Sequence, residues 1–248
     1  MISFNVVSVA CVSPGIHTRE QWQGVFNGQL PVSDTLDTAL LKPIPAMLRR
    51  RLGALGRCAA AAFLSLPTQQ TPSPIIYASR HGDTHLSSSL LNGIAHEEPM
   101  SPTQFSLAVH NAIGGVISIA QKNTAPMTAI AAMEAMPLQA LFEAAGQLTE
   151  TERVICVIYD HPLPEPYQAY AQSIERPMAI AFELARADDS TLGDVEGVLS
   201  IQSEDRDNEA AATQELSLMA FAQLLLNGGS HTTCINQHTW TVRFEALH

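Results

Sequence analysis

The stretch that decides the fold is TAPMTAIAAMEAMPLQALFEAAG, residues 124–146. Its apolar run at residues 127–132 predicts a short strand, and the residues from Pro137 onward predict a helix. Residues 133–135 form a sharp turn between the two. Enzymes of the α/β class present a nucleophile on such an elbow, because the turn exposes one side chain at the N-terminus of the helix. The side chain here belongs to Glu134, and a carboxylate is not an acyl-accepting nucleophile.

Length and composition predict one folded domain. The chain has 248 residues, of which 46% are hydrophobic and 15% are charged, so it can bury a sizeable core. Its net charge of −11 argues against nucleic-acid binding, which requires a basic surface. No internal repeat or low-complexity linker divides the chain. We therefore expect a single domain over residues 1–248, with a core at 1–187 and a C-terminal helix and edge strands at 188–248.

Apolar periodicity predicts the order of strands and helices. Strands are expected at residues 2–12, 75–79, 127–132, 153–159, 177–186 and 239–244, the last as an antiparallel edge strand. Helices are expected at residues 18–27, 45–66, 87–95, 101–120, 137–146 and 209–226, and an exposed acidic loop at 188–207. The near-continuous apolar run at 153–159 is typical of a central parallel strand covered on both faces. This order predicts a layered α/β fold with a mostly parallel central sheet and helices on both faces.

The four cysteines show no spacing that suggests metal binding or covalent catalysis. Cys11, Cys58, Cys156 and Cys234 are far apart, and no C-x-x-C or Cys/His pattern occurs. We therefore expect reduced, buried thiols, no metal site and no cofactor. Nothing at the start of the sequence resembles a signal peptide, and no apolar run is long enough to span a bilayer. These features predict a cytoplasmic protein.

Arginines are concentrated on one predicted helix, at Arg49, Arg50, Arg51 and Arg57. They allow two interpretations, a solvated helix face or a patch for an acidic partner. The solvated face is favoured, because three consecutive residues cannot share one face of a helix.

A second motif, Arg80-His81-Gly82, follows a predicted strand. It resembles the phosphohistidine motif of the histidine phosphatase family, which implies phosphoryl transfer to His81, with His231 as a second histidine. However, the motif follows the second strand instead of the first, and His231 follows a helix end. A loop in which Arg80 binds backbone groups is therefore favoured, and phosphoryl transfer stays an alternative.

Residues 101–136, SPTQFSLAVHNAIGGVISIAQKNTAPMTAIAAMEAM, resemble the N-terminal half of β-ketoacyl synthases in the thiolase-like superfamily. In that family a buried helix and a short strand precede the nucleophilic Cys, which lies at the elbow of the next helix. Matching the two patterns through Pro126 and Ile130 places Glu134 at the position of that Cys. The earlier SRHG and RRRL segments resemble short ketosynthase-like proteins of aryl-polyene clusters, the chain length factors. The resemblance implies a half thiolase-like fold and is most specific at residues 75–160.

The resemblance also implies a function. A chain length factor is not catalytic by itself. It forms a heterodimer with a catalytic β-ketoacyl-ACP synthase and helps bound its acyl tunnel while a polyene or fatty-acid-like chain grows on an acyl carrier protein. The Cys is replaced by Glu134, and the sequence stops where the half with the catalytic histidines would begin. The strand at 127–132 would lie at the dimer axis. The implied tunnel and interface residues are His110, Ile113, Gly114, Met133, Glu134 and Met136.

Glu134 itself has two interpretations. It is either a carboxylate stabilised by the helix N-terminus, or a functional group that pairs across the interface or mimics a carboxylate intermediate. The structural interpretation is favoured, because a carboxylate without a positioned acid or base partner is a poor catalyst. A free-standing malonyl-carrier decarboxylase that uses Glu134 in place of the Cys is a further alternative.

Overall fold

The structure is a computed structural model that describes residues 1–29, 31, 33–67, 72–188, 193, 195–204, 214–235 and 237–247. Its strands are β1 (Ile2–Val12), β2 (Ile75–Ala78), β3 (Met127–Ile130), β4 (Arg153–Asp160), β5 (Met178–Arg186), β6 (Gly197–Glu204), β7 (Gly229–Ile235) and β8 (His238–Ala246). Its helices are α1 (Arg19–Phe26), α2 (Ala46–Arg49), α3 (Ala54–Leu64), α4 (Thr84–Ala95), α5 (Pro102–Leu107), α6 (Ala112–Gln121), α7 (Met136–Gln147), α8 (Glu165–Gln168) and α9 (Leu218–Asn227). A short 3₁₀ helix covers Thr38–Leu41.

The strands form one eight-stranded sheet in the order β3-β2-β4-β5-β1-β6-β8-β7. The predicted α/β class is confirmed, but the sheet is mixed and not mostly parallel. Strand β2 pairs in parallel with β3 and β4, whereas the other five pairs between described neighbours are antiparallel. The parallel strands are joined by helical crossovers, as parallel pairing requires. Apolar runs do not encode strand direction, so the sequence could not separate the two arrangements.

Helices cover both faces of the sheet, as predicted. Alternate side chains of β4 show the two layers. Val154, Cys156 and Ile158 belong to one apolar cluster, which also contains residues of α1, α7 and α9. Ile155, Val157 and Tyr159 belong to a second cluster, with residues of α3 and α6. Strand β4 is therefore central and covered on both sides, parallel to β2 and antiparallel to β5.

Two long predicted helices are each broken in two. The expected helix at 45–66 is α2 followed by α3. The break between them contains the exposed Arg50 and Arg51 and ends at Gly53, the residue before α3. The expected helix at 101–120 is α5 followed by α6, with Ser101 capping α5. An apolar stripe with helical spacing fits two short helices on one surface as well as one continuous helix, so periodicity did not reveal the breaks. None of the described helices is long and apolar enough to cross a membrane.

The C-terminal part differs most from the prediction. Strand β6 lies inside the stretch predicted as an acidic loop, of which residues 189–192, 194 and 205–207 lie outside the described residues. Helix α9 begins at Leu218, and residues 209–213 of the predicted helix also lie outside them. Residues after α9 form β7, which pairs with β8 and occupies the sheet edge. Strand β8 is therefore antiparallel as predicted, but it is not an edge strand.

The two tryptophans tie separate elements together. Trp22 on α1 is fully buried, and its indole N–H donates to the Cys11 carbonyl at 2.8 Å. Trp240 on β8 is half-buried and packs edge-to-face on Phe142 of α7, with ring centroids 4.8 Å apart. The second contact joins the C-terminal strands to the helix that follows the elbow.

Candidate functional site

The predicted elbow is present between β3 and α7. Ala135, which precedes α7, has left-handed backbone angles, φ 42° and ψ 48°, an unfavourable conformation for a residue with a Cβ. This turn directs Ala135 and Met136 into the core, where they are buried. Met133 and Glu134 stay outside, and Met133 is 55% exposed. The elbow therefore presents an apolar side chain and a carboxylate at the surface.

Glu134 has no neighbour with which it could perform acid–base chemistry. Its side chain makes no hydrogen bond or ion pair with any residue that the structure describes. A general acid or base must lie within hydrogen-bond reach of its proton donor or acceptor. The described residues therefore offer Glu134 no proton-transfer partner.

A cavity of about 390 Å³ opens beside the elbow, and a half-buried ion pair forms one of its walls. Arg80 Nη2 lies 2.7 Å from Glu215 Oε1, and the same oxygen accepts a hydrogen bond from the Ala135 N–H at 3.1 Å. The Arg80 side chain is 13% exposed. The cavity is lined by Arg80, Met133, Glu134, Ala135, Tyr170, Ala171, Gln172, Glu215, Thr233 and Cys234. Sequence reasoning missed Glu215, because nothing in its local sequence shows that it reaches a turn 80 residues earlier.

The loop after β2 connects this cavity with the C-terminal end of β4 and the N-terminal end of α6. Arg80 Nε lies 4.0 Å from Asp160 Oδ2 at the end of β4. Burial raises the pKa of Asp160, against the opposing effects of the hydrogen bond from the His161 N–H and the positive charge of Arg80. At the start of α6, His110 Nε2 donates to the Ser79 carbonyl at 3.0 Å. His110 is thereby fixed to the end of β2.

The geometry does not favour phosphoryl transfer by His81. The guanidinium that a phosphate would need is paired with Glu215 and lies near Asp160, so two carboxylates would repel the ligand. His81 Nε2 is buried and has no hydrogen-bond partner among the described residues. His231 lies on β7 and contacts the Gln214 carbonyl instead.

The residues predicted on α6 are buried inside this chain. Ile113 is 7% exposed, and Gly114 packs on β2 and β3. A Cβ added to Gly114 would lie 2.6 Å from Tyr77 Cδ2 and 2.7 Å from Met127 Sδ. Gly115 next to it faces open space. Of the six predicted tunnel and interface residues, Met133 and Glu134 are exposed, His110 is half-buried, and Ile113, Gly114 and Met136 are buried.

The cysteines do not supply a nucleophile at the elbow. Cys11, Cys58 and Cys156 are buried, and none of the four cysteines forms a disulfide. Burial raises the pKa of Cys11 and Cys156, and it raises the pKa of Cys58 to about 12, so their reactive thiolate forms are disfavoured. Cys234 is half-buried on β7 and lines the same cavity as the elbow residues, but it does not belong to the elbow turn itself. The described residues include no cluster of His, Cys, Asp or Glu that could hold a metal ion.

Among the described residues, strand β3 has no pairing partner on one side of its backbone. It forms the edge of the sheet, and β2 is its partner among the described strands. The segment that leads to it, from α4 to α6, carries large exposed apolar side chains. These are Leu91, Ile94, Phe105, Val109 and Ile119, each more than half exposed. An open strand edge and exposed apolar side chains are features of surfaces that associate with another chain.

Comparisons with known proteins agree with this fold. The family model for the β-ketoacyl synthase N-terminal domain matches residues 20–241. A chain in the complex of the ketosynthase ApeO with its chain length factor ApeC from Xenorhabdus doucetiae is 24% identical, with a TM-score of 0.76, and the match covers 98% of this chain and 100% of that one. No curated protein matches the chain.

Two further structures are similar in fold. The ishigamide ketosynthase/chain length factor matches with 14% identity and a TM-score of 0.63, over 82% of this chain and 67% of the other. A chain of the AntDE:AntF complex, a type II polyketide synthase acyl-carrier protein with its ketosynthase bound to the hexaketide, matches with 12% identity and a TM-score of 0.66, over 99% of each chain. The fold is thus the thiolase-like ketosynthase fold. Because the family model extends from α1 to β8 and includes the elbow, the chain belongs to the β-ketoacyl synthase N-terminal domain family.

Proposed function

We propose that this chain is a non-catalytic chain length factor that pairs with a catalytic β-ketoacyl-ACP synthase. The observation that carries the proposal is the elbow between β3 and α7, which presents the carboxylate of Glu134 and no thiol. A carboxylate cannot form the thioester that holds the growing chain. In this proposal Glu134 occupies the nucleophile position, and the thiol and histidines that perform condensation belong to the partner.

Similar solved structures support the kind of partner. One is a ketosynthase with its chain length factor, and another contains an acyl-carrier protein with its ketosynthase. By analogy, this chain would meet an acyl carrier protein, with its phosphopantetheine-bound chain, through the ketosynthase. It would help bound the acyl tunnel during the elongation of a polyene or fatty-acid-like chain. One continuous sheet joins the N-terminal and C-terminal strands, which supports a single domain over residues 1–248.

Strand β3 supplies the dimer contact in this proposal. Its free edge would pair with the corresponding edge strand of the ketosynthase and join two sheets into one. The exposed Met133 and Glu134 would then lie at the interface. The buried Ile113, Gly114 and Met136 would act through their packing beneath it, with His110 fixing the start of α6. These six residues remain the proposed tunnel and interface set.

The test is a reconstitution with purified subunits. The full chain is produced with a ketosynthase that contains the catalytic Cys and two histidines, and malonyl-carrier condensation is measured for each subunit and for the complex. We expect a stable heterodimer, condensation by the complex, and no condensation when the partner's cysteine is replaced by alanine. Condensation by this chain alone would refute the proposal. Release of CO₂ from the malonyl carrier by the isolated chain would instead support the decarboxylase that uses Glu134.

A further inference from the structure

The carboxylate of Glu215 occupies an anion-binding position behind the elbow. One of its oxygens receives both the Arg80 guanidinium at 2.7 Å and the Ala135 N–H at 3.1 Å. Both donors belong to other parts of the chain, the loop after β2 and the elbow. The carboxylate therefore connects the segment before α9 with the turn that presents Met133 and Glu134.

This connection acts on the strained residue of the elbow. Ala135 has left-handed backbone angles, which a non-glycine residue adopts only when its surroundings hold it there. Ala135 is the residue that directly precedes α7, so its N–H has no intrahelical partner and an external acceptor must satisfy it. Glu215 supplies that acceptor, and the Arg80 guanidinium binds the same carboxylate oxygen.

A second glutamate has the same chemistry elsewhere and provides a matched control. Glu196 accepts from the Val9 N–H at 3.0 Å and pairs with Arg19 at 3.0 Å. Both glutamates therefore bridge an arginine and a backbone amide, and their side chains are 30% and 32% exposed. Glu196 binds β1 and α1, so its loss should leave the elbow unchanged.

We propose that Glu215, held by Arg80, is a positioning residue that fixes the elbow in the conformation in which Met133 and Glu134 face the ketosynthase. The inference rests on the proposed function for its partner, but the internal contact is independent of it. It also implies that the elbow contains a carboxylate-binding site that the chain fills with its own side chain. Removal of that side chain should leave Arg80 and the Ala135 N–H ready to bind a small carboxylate from solution.

The test measures amide hydrogen exchange at Ala135 in the full chain. In Glu215→Ala we expect exchange about tenfold faster or more, because a hydrogen bond to a charged acceptor is lost. Glu215→Gln keeps an acceptor but loses the ion pair, so exchange should rise less. Sodium acetate, compared with sodium chloride at equal ionic strength, should slow the exchange again in Glu215→Ala. Glu196→Ala should exchange at Ala135 as the wild type does.

Affinity for the ketosynthase is the second readout. Glu215→Ala should bind it about tenfold more weakly, acetate should restore the affinity, and Glu196→Ala should bind normally. Unchanged exchange at Ala135 in Glu215→Ala would overturn the inference, and so would faster exchange with unchanged affinity. If the wild-type chain binds no ketosynthase, the proposed function fails, and the exchange and acetate results alone decide whether Glu215 fixes the elbow.

Discussion

At the scale of single residues, the elbow exposes a carboxylate that the described residues around it do not equip for acid–base chemistry. Glu134 is exposed at the turn between β3 and α7, yet no described side chain is positioned to exchange a proton with it. The carboxylate that accepts a hydrogen bond from the elbow's backbone is that of Glu215, and it is paired with Arg80. The backbone of the elbow is therefore held by the internal Arg80–Glu215 ion pair and not by its exposed carboxylate, Glu134.

Replacing Glu134 with glutamine should have little effect on condensation by the complex. We expect a rate within about twofold of wild type, because loss of a true general acid or base lowers rates by about 10²-fold or more. The measurement is malonyl-carrier condensation by purified heterodimer. A drop of about 100-fold with the heterodimer intact would show that Glu134 takes part in the reaction.

Gly114→Ala should destabilise the chain. The added methyl group would overlap with Tyr77 and Met127, and overpacking of this kind costs about 1–3 kcal/mol. Urea unfolding provides the measurement. Gly115→Ala is the matched control, because its Cβ meets open space, and it should be neutral or stabilising by up to about 1 kcal/mol. Equal stability of both variants would contradict the packing at Gly114.

The same pair of glycines changes how the predicted tunnel can be tested. A larger residue at position 114 would disturb the chain's own core, so shorter products would not identify a tunnel wall. Gly115 is half-buried and has room for a side chain. Product length in Gly115 variants is therefore the cleaner measurement of whether α6 lies against the acyl chain.

At the scale of elements, the sequence located most segments but not their interruptions or partners. Strands β1 to β5 and helix α7 lie close to their predicted positions, because their apolar runs are long or sharply bounded. The breaks before α3 and α6 were missed, because Leu48, Leu52 and Leu55 keep helical spacing across the first break. Strand β6 was missed because acidic residues surround its short alternating run. Strand β7 was missed because α9 ends at Gly228 and β7 begins at the next residue, Gly229, so the two glycines indicated only the end of a helix.

The hydrogen bonds between β2 and β3 show which backbone groups of β3 face outward, and a substitution can test their role. Ile75 N–H donates to the Pro126 carbonyl and Ser79 N–H donates to the Ile130 carbonyl, so the even-numbered residues of β3 face β2. Alternate residues of a strand direct their backbone groups to opposite sides. The N–H of Ala129 therefore faces outward, towards the proposed partner strand.

Ala129→Pro should weaken the heterodimer while the chain stays folded. It removes an outward donor and leaves the pairing with β2 intact, so we expect affinity for the ketosynthase to fall about tenfold. Titration of the labelled ketosynthase measures this change. Ala129→Val keeps the N–H and should bind almost normally. Wild-type affinity in the proline variant would exclude pairing at this edge.

At the scale of the whole molecule, exposed apolar residues and the open edge of β3 lie on parts of the chain that follow one another, from α4 to the elbow. A ketosynthase that binds the folded state alone should stabilise it through mass action. We expect about 2.7 kcal/mol of added stability at a free partner concentration 100 times the Kd. The midpoint of thermal unfolding should therefore rise with ketosynthase concentration. A midpoint that does not depend on ketosynthase concentration would contradict the partnership. In Ala129→Pro, a higher ketosynthase concentration should be needed for the same rise in the midpoint.

The candidate site was predictable only where neighbouring residues in sequence form it. The strand, turn and helix at 127–147 could be found from one stretch, because the elbow is local. Its supports could not, since Arg80, Asp160 and Glu215 come from three distant segments and meet only when the sheet forms. The prediction that Arg80 binds backbone groups was wrong, because its contacts in the described structure are with the side chains of Glu215 and Asp160.

The contact between Trp240 and Phe142 gives the chain an optical reporter of its elbow. The sequence contains two tryptophans. Trp22 is buried in the core, so its fluorescence emission should stay constant while the fold is intact. Trp240 is half-buried and touches the helix that follows the elbow. A shift of α7 should therefore change the fluorescence of Trp240 without any attached dye, and Trp22→Phe would leave that signal alone in the spectrum.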